Sequence, residues 1–240
     1  MRRTISLALL AALLGAPFSP SAVSPADAAG RPVVVELFTS QSCSSCPPAE
    51  ALLGQIAREG GAVLPLAFHV TYWDHLDWRD TFALPAATRR QAAYAERLGG
   101  GSYTPEAVID GQVGLVGSDA GAVRAAIARA QAAAAAEAPV ALARRGDALV
   151  VTLGAGRGAG TVTLVGFDPS HATRVARGEN AGRTLAQANI VRAVSEIGRW
   201  AGQAATLEVP LPAGADAAVI VQGADGRILG AARLGPAARA

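Results

Sequence analysis

Both cysteines of the chain lie in one stretch, TSQSCSSCPP (Thr39 to Pro48), with only Ser44 and Ser45 between them. Two thiols at this spacing suit three kinds of chemistry. The first is thiol–disulfide exchange, in which one thiolate attacks a disulfide and the other resolves the mixed disulfide. Cys43 would precede a helix and act as the nucleophile; Cys46, at the first turn, would be the resolving thiol. Unsatisfied N–H groups at a helix N-terminus stabilise a thiolate and lower its pKa from about 8.5 to between about 3.5 and 7.5. Pro47 and Pro48 complicate that picture, because the pair either delays the helix start to about Cys46 or kinks it early. The hydroxyls of Ser42, Ser44 and Ser45 are alternative donors to a thiolate.

The second chemistry is metal binding: two thiolates suit Cu(I), and Cys43, Cys46, His69 and His75 formally make a Cys2His2 set for zinc. The 22 residues between Cys46 and His69 exceed the roughly 12–15 of the usual zinc spacing. The only Met is Met1, so a thioether ligand is lacking as well. No metal and no cofactor is expected. The third is a structural staple, yet closing a four-residue loop is worth roughly 2 kcal/mol against about 4.7 for a 100-residue loop. Exchange is the leading reading.

Other residues that could serve this chemistry are scattered. Glu36 is an acid inside an otherwise apolar run, seven positions before Cys43. Burial there would raise its pKa and make it a candidate proton relay, while pairing with an Arg such as Arg31 would make it structural. Tyr72, Trp73, Asp74, His75, Asp77, Trp78, Arg79 and Asp80 crowd one segment. Tyr72, Trp73 and Trp78 offer a stacking surface for a peptide or small polar ligand; packing of the segment onto the domain is the plainer alternative. His69 reads as a core residue on a strand and His171 as a loop residue. GENAGRTL (Gly178 to Leu185) sets Glu179, Asn180 and Arg183 between glycines and reads as a solvated turn or as a contact to the cysteine-bearing domain.

The elements that must position these residues follow from periodicity. RPVVVELFT (Arg31 to Thr39) predicts a buried strand, EALLGQIARE (Glu50 to Glu59) a helix ended by Gly60-Gly61, and VLPLAFHV (Val63 to Val70) a second strand. A βαβ unit therefore opens the domain, with the cysteines at its strand-to-helix turn. Pro85 to Leu98 predicts a helix capped by Gly99, and the following alternation predicts a hairpin turning at Asp110-Gly111. Ser118-Asp119 supplies an N-cap for an Ala-rich helix to about Glu137. From Pro139 onward short strands recur between turn signals: VALARR, ALVVTL, TVTLVGF, AATLEVPL, AAVIVQG and RILGAAR. Gln187 to Trp200 suits either a helix face or a strand, and the strand is preferred.

Taken together, a strand ending in ELFTS, CSSC at a helix start and Thr104-Pro105 entering a hairpin resemble the thioredoxin superfamily. VELFTSQSCSSCPPAE, FHVTYWDHLDW, YTPEAVIDG and RGENAGRTL look like a bacterial family of secreted thioredoxin-like proteins known only as a domain of unknown function, over essentially the whole mature chain. The resemblance implies that Pro105, preceded by Thr104, is a cis-proline beside the dithiol that shapes substrate access. It also implies a buried acid on the first strand, one residue nearer the first Cys than Glu36 stands. Ser44-Ser45 replaces the Gly-Pro-type dipeptide common in thioredoxins.

Met1-Arg2-Arg3, the apolar run Ile5 to Leu14 and Ala26-Asp27-Ala28 predict a Sec-type signal peptide, residues 1–28, cut after Ala28. The run is too short, and too interrupted by Gly15 and Pro17, to span a bilayer, so no stable membrane span is expected after cleavage. A periplasmic or secreted location follows. Without residues 1–28 the 21 basic and 19 acidic side chains become 19 and 18, a near-neutral balance that gives no footprint for nucleic acid. Every basic residue is Arg, which excludes Schiff-base and P-loop lysine mechanisms.

The expected protein is α/β: a thioredoxin-like domain at 31–137 followed by a β-rich, sandwich-like domain at 138–235. Its expected function is thiol–disulfide exchange with an extracytoplasmic protein thiol or disulfide partner. Cys43 and Cys46 would carry the exchange, Thr104 and Pro105 the substrate access, and Glu36 the proton. The alternatives are a Cu(I) carrier and a redox-silent interaction module.

Overall fold

The computed structural model describes residues 30–235. The expected signal peptide lies outside the described residues. The chain is mixed α/β, with three helices against two sheets of eight and three strands among the described residues.

The βαβ unit forms as periodicity predicts. Strand β1 (Val33–Thr39) leads through the cysteines into α1 (Pro47–Glu59) and back along β2 (Val63–His69), parallel to β1 from Val33↔Val63 to Thr39↔His69. Helix α2 (Pro85–Leu98) precedes the hairpin β3 (Glu106–Ile109) and β4 (Val113–Val116). That hairpin turns at Asp110 and Gly111, both at positive φ (53° and 70°), the backbone a tight hairpin turn requires. Arg31, just ahead of β1, fastens the turn by donating from Nη1 and Nη2 to the two Asp110 oxygens at 2.7 and 2.5 Å. Helix α3 (Ala120–Ala133) starts at the predicted cap, where Asp119 accepts from the Ala122 N–H at 2.9 Å, and ends four residues short of Glu137.

The C-terminal strands differ from expectation in where they go. Strands β7 (Gly160–Arg174), β8 (Thr184–Trp200), β10 (Asp216–Gly223) and β11 (Ile228–Arg233) do not close on themselves. They extend the first sheet in the order β11-β10-β7-β8-β2-β1-β3-β4, joined where β8 runs parallel to β2 at Ala67↔Ile190. The boundary expected at 137/138 thus falls between α3 and the next strand but does not divide the sheet. Strands β5 (Val140–Arg145), β6 (Ala148–Leu153) and β9 (Ala205–Pro210) form the second sheet. Gln187 to Trp200 lies in β8, and His171 is an exposed residue of β7 rather than of a loop.

Three apolar clusters hold the layers together, and alternation along the strands decides which residue joins which. Phe38, Phe68, Phe167 and Ile220 meet Tyr94 of α2 on one face of the large sheet. On the opposite face Val35, Leu37 and Ile109 pack on Leu52, Ile56 and Val123 of α1 and α3. Further along that face Val162, Val219 and Trp200 pack on Leu149 and Val151 of the small sheet. The paired strands β7 and β8 are 15 and 17 residues long, and their connecting tip reaches the cysteine-bearing end of β1.

Candidate functional site

Cys43 and Cys46 form a disulfide at the turn from β1 into α1. Cys46 is the helix N-cap, and Pro47 and Pro48 are its first two residues, so of the two ways that pair could act, the delayed start is the one adopted. The main-chain donors there are committed. Cys43 N–H donates to Ser40 O (3.1 Å), Cys46 N–H to Cys43 O (3.2 Å), and the N–H groups of Ala49 and Glu50 to Cys46 O (2.9 and 3.1 Å). Proline supplies none at positions 47 and 48. The helix terminus therefore has no spare N–H for a thiolate on Cys43, and the Ser45 hydroxyl, 3.4 Å from Cys43 Sγ, is the donor within reach.

A reduced pair that lacks thiolate stabilisation has a low potential. Replacing Pro47 and Pro48 together with Ala restores two N–H groups at an anion-stabilising terminus worth about 0.3–1 kcal/mol. The expected result is a rise in reduction potential of about 10–20 mV, read against a glutathione or dithiothreitol buffer; no rise, or a fall, would show that the terminus does not act on Cys43.

Both sulfur residues are covered: Cys43 is 1% exposed and Cys46 is fully buried, while Ser44 and Ser45 between them face solvent. Cys43, the expected nucleophile, is closed to solvent. The tip between β7 and β8 is bonded to its loop. Asn180 Nδ2 donates to Gln41 O at 3.0 Å and to Cys43 O at 2.9 Å, and the Glu179 carboxylate accepts from Ser44 N–H at 3.1 Å. GENAGRTL is therefore a contact to the cysteine loop, made through Glu179 and Asn180, while Arg183 donates to Asn180 Oδ1 at 3.1 Å.

Thr104–Pro105 is a cis peptide bond. Pro105 is buried beside the first turn of α1: a Cβ placed on Gly117 would lie 3.4 Å from both Pro105 Cβ and Ala49 Cβ. Trp73 Nε1 donates to Thr104 Oγ1 at 2.8 Å, so one of the aromatics meets the proline loop directly. Trp78 meets the cysteine loop: its Nε1 donates to Gln41 Oε1 at 3.0 Å and its carbonyl accepts from Ser42 Oγ at 2.5 Å. Tyr72 turns to α2, where its hydroxyl donates to Gln91 Oε1 at 3.1 Å; burial pushes its pKa up to about 12. The polar atoms of all three rings are engaged within the protein.

Glu36 is not among the residues brought to the disulfide. It is fully buried on the α2 face of β1, the face opposite α1, and Arg90 donates to both its oxygens while Tyr94 donates to Oε1 at 2.5 Å. Pairing with arginine was the structural alternative, and the partner is Arg90 rather than Arg31.

The buried acid on the cysteines' own helix is Glu50, which sequence reasoning passed over because it reads as an ordinary first-turn glutamate. Its Oε1 accepts from Thr39 Oγ1 at 2.9 Å and from Gln187 Nε2 at 3.1 Å. Desolvation raises its pKa, outweighing His69 and these hydrogen bonds. Next to it, fully buried His69 and Asp80 share a 2.6 Å contact between Nδ1 and Oδ2, and Asp80 Oδ2 also accepts from Gln41 N–H at 2.7 Å. Burial alone would lower the His69 pKa, but Asp80 and Glu50 hold it above the ordinary range. Burial alone would raise that of Asp80, but His69 and two backbone N–H groups keep it below. Gln41 completes the network through Thr173 (3.0 Å) and Gln187 (3.1 Å). Its members come from β1, α1, β2, β7, β8 and the loops that carry Gln41 and Asp80, so no local spacing reveals them.

His69 is thus committed to Asp80, and His75 is exposed on its loop with Nδ1 at 2.9 Å from Tyr72 O. Among the described residues no three of His, Cys, Asp and Glu are gathered as a metal-binding group, and no helix is long and apolar enough to cross a membrane.

Comparison with known proteins places this arrangement. The family described as "Protein of unknown function (DUF1223)" matches residues 34–222. The crystal structure of protein AGR_C_4864 from Agrobacterium tumefaciens is 30% identical, with a TM-score of 0.77 over 88% of this chain and 97% of that one. HBP35 of Porphyromonas gingivalis is 15% identical, with a TM-score of 0.60 over 85% of this chain and 75% of that one, a likeness of fold alone. No curated protein matches the chain.

Proposed function

The chain belongs to the DUF1223 family, whose function is unknown, and we propose that it is a thiol–disulfide oxidoreductase exchanging disulfides with a protein partner outside the cytoplasm. In this reading residues 31–137 are a thioredoxin-like unit and the later strands a β-rich extension of it. The observation that carries the proposal is the Cys43–Cys46 disulfide at the turn between a parallel strand and α1, with Pro105 packed beside that helix's first turn. The extracytoplasmic setting rests on the N-terminal signal pattern and on a disulfide being the persistent state of such a pair in oxidising compartments.

The exchange balances as follows. A partner thiolate attacks Cys43 Sγ, the Cys43–Cys46 bond breaks, and Cys46 leaves as a thiolate. Cys46 is buried away from water, and Glu50, one helical turn on and with its pKa raised by burial, is the acid placed to supply its proton. A second partner thiol then attacks the partner's sulfur of the mixed disulfide and releases Cys43. The second thiol's proton goes to Cys43, and the proton released when the first partner thiol ionised restores Glu50. In net, two electrons and two protons pass from the partner dithiol to the pair, and the partner leaves as a disulfide. The same steps run backwards when the reduced pair reduces a partner disulfide, the direction a low potential favours.

A redox titration of the mature protein with thiol alkylation, run with metal analysis, tests this. The expected result is a reversible Cys43–Cys46 couple at the reducing end of the range of about −120 to −270 mV, since the helix terminus gives the thiolate no free N–H. A pair still oxidised well below about −300 mV would make the disulfide a staple. Stoichiometric copper on the reduced protein would make it a Cu(I) carrier.

A further inference from the structure

Exchange at Cys43 requires a partner's sulfur to reach a residue that is 1% exposed. The β7–β8 tip of the same chain is bonded to the loop that carries it, and the character of those contacts decides what the tip does. Between Val175 and Leu185, Asn180 is the only buried residue; Ala176, Arg177, Glu179, Ala181, Gly182, Arg183 and Thr184 are exposed and Gly178 is partly so. The tip therefore rests on the cysteine loop mainly by polar contacts, with Gly178 packed closely on Trp78, where a Cβ would lie 3.2 Å from Trp78 Cβ. Below it the hairpin is closed by Val175 N–H to Arg183 O and Gly182 N–H to Val175 O, both 2.9 Å. Gly178 and Gly182, at φ 78° and 81°, bracket the tip at backbone angles that glycine adopts without strain.

The three contacts have a pattern. The tip donates to Gln41 O, donates to Cys43 O and accepts from Ser44 N–H. Those are main-chain groups flanking the disulfide, and they are what an extended peptide lying beside Cys43 would bond with its own N–H and C=O groups. Asn180 and Glu179 offer the same donors and acceptor from side chains.

We propose that the β7–β8 tip is a displaceable cap that stands in for the partner's backbone, held shut by Asn180 and Glu179 and opened by an extended, cysteine-bearing segment that takes over their hydrogen bonds. The inference rests on the exchange reading and adds its control: the disulfide is shielded from small thiols and yields to a partner that can pay in main-chain hydrogen bonds. Hydrogen bonds of ordinary strength hold the cap, so the open form is a minority state in ready exchange with the closed one.

The test measures the second-order rate at which dithiothreitol reduces the Cys43–Cys46 disulfide of the full mature chain. Its two thiols become one cyclic disulfide, and their two electrons and two protons pass to the pair. Asn180→Ala is expected to raise that rate about tenfold, equivalent to about 1.4 kcal/mol, and Glu179→Ala to raise it by a smaller factor. Glu179 is exposed, so its variant keeps the inference testable should loss of Asn180 impair folding. Amide hydrogen exchange is followed alongside: faster exchange is expected at the tip and the cysteine loop, with the core of β1 and β2 unchanged. Unchanged reduction rates in folded variants would overturn the cap, as would acceleration that merely tracks global unfolding of β1. The two readings fail separately. Variants that are reduced quickly but take no electrons from any protein dithiol and give none to any protein disulfide would sink the oxidoreductase and leave the cap standing; turnover with unchanged variant rates would do the reverse.

Discussion

Arg90→Met is expected to destabilise the fold by about 3–5 kcal/mol, the usual result of stripping one partner from a buried ion pair. Glu36 is fully buried in β1, which has β2 on one side and β3 on the other, so its carboxylate depends on partners within the protein. Arg90 meets it with Nε and Nη2, the latter 2.9 Å from Oε1. Tyr94 OH donates the remaining bond to Oε1, and in turn accepts from Arg90 Nη2 and from Gln222 Nε2, each at 3.0 Å. Without Arg90 the carboxylate keeps one donor. The double variant Glu36→Gln/Arg90→Met removes the charge and keeps an oxygen for Tyr94, so it is expected to recover most of the loss in guanidinium titrations. A double variant as unstable as Arg90→Met would show that the arginine's packing over Phe68 and Tyr94, 5.7 and 5.3 Å from their ring centres, and not the ion pair, is what counts. The double variant also decides Glu36's chemistry. If Glu36 is structural, as its place on the α2 face indicates, disulfide exchange in the folded double variant proceeds at the wild-type rate.

Why Glu36 looked like the relay and Glu50 did not marks the limit of reading this chain. An acid among valines on a strand announces burial, and burial is correct; which face it lies on depends on register, and Glu36 alternates onto the α2 side with Val34 and Phe38. Glu50 follows two prolines at a helix start, where acids are common for dipole reasons, and nothing local says that Gln187, 137 positions away, closes over it. The same distinction runs through the fold. Helices α1 and α2, the turn at Asp110-Gly111 and the Asp119 cap are local and were legible. The strands after Pro139 were legible as strands, but pairing β8 beside β2 is a choice among edges, made by burial of both faces, and periodicity along one strand does not encode it. Asn180 belongs to the same class: its residue type suits a turn, and only the tip's arrival at Cys43 gives it work.

Asp80→Asn should cost about 1.5–3 kcal/mol near neutral pH, the worth of a hydrogen bond to a charged group, and reverse the sign of His69's contribution to the response to pH. In the native fold His69 binds its proton more tightly than it does unfolded, because Asp80 and Glu50 outweigh its burial. Its contribution is then fully present below the unfolded pKa of about 6.5 and is lost as pH rises through the raised folded value. Glu50, also raised, removes stability as pH climbs from about 4.3 through its own folded value. Asp80, held low, contributes above its unfolded value of about 3.9 and loses that contribution as pH falls through the folded one. The native protein should therefore be most stable in mildly acidic solution and weaken through neutrality into the alkaline range. In Asp80→Asn the buried imidazole has lost its hydrogen-bonded anion and folds neutral, so the unfolded chain binds the extra proton and His69's contribution rises with pH up to about 6.5. Denaturant midpoints measured from pH 5 to 9 would show a falling profile for the native chain and a shallower one for the variant, which keeps only the part of the fall that belongs to Glu50. A variant profile that keeps the native fall above pH 6.5 would assign it to a group other than His69. Because Asp80 also holds Gln41 N–H at 2.7 Å, two residues before Cys43, its loss loosens the cysteine loop as well. The buried pair under the disulfide is thus both the chain's pH dependence and the floor on which its cap is seated.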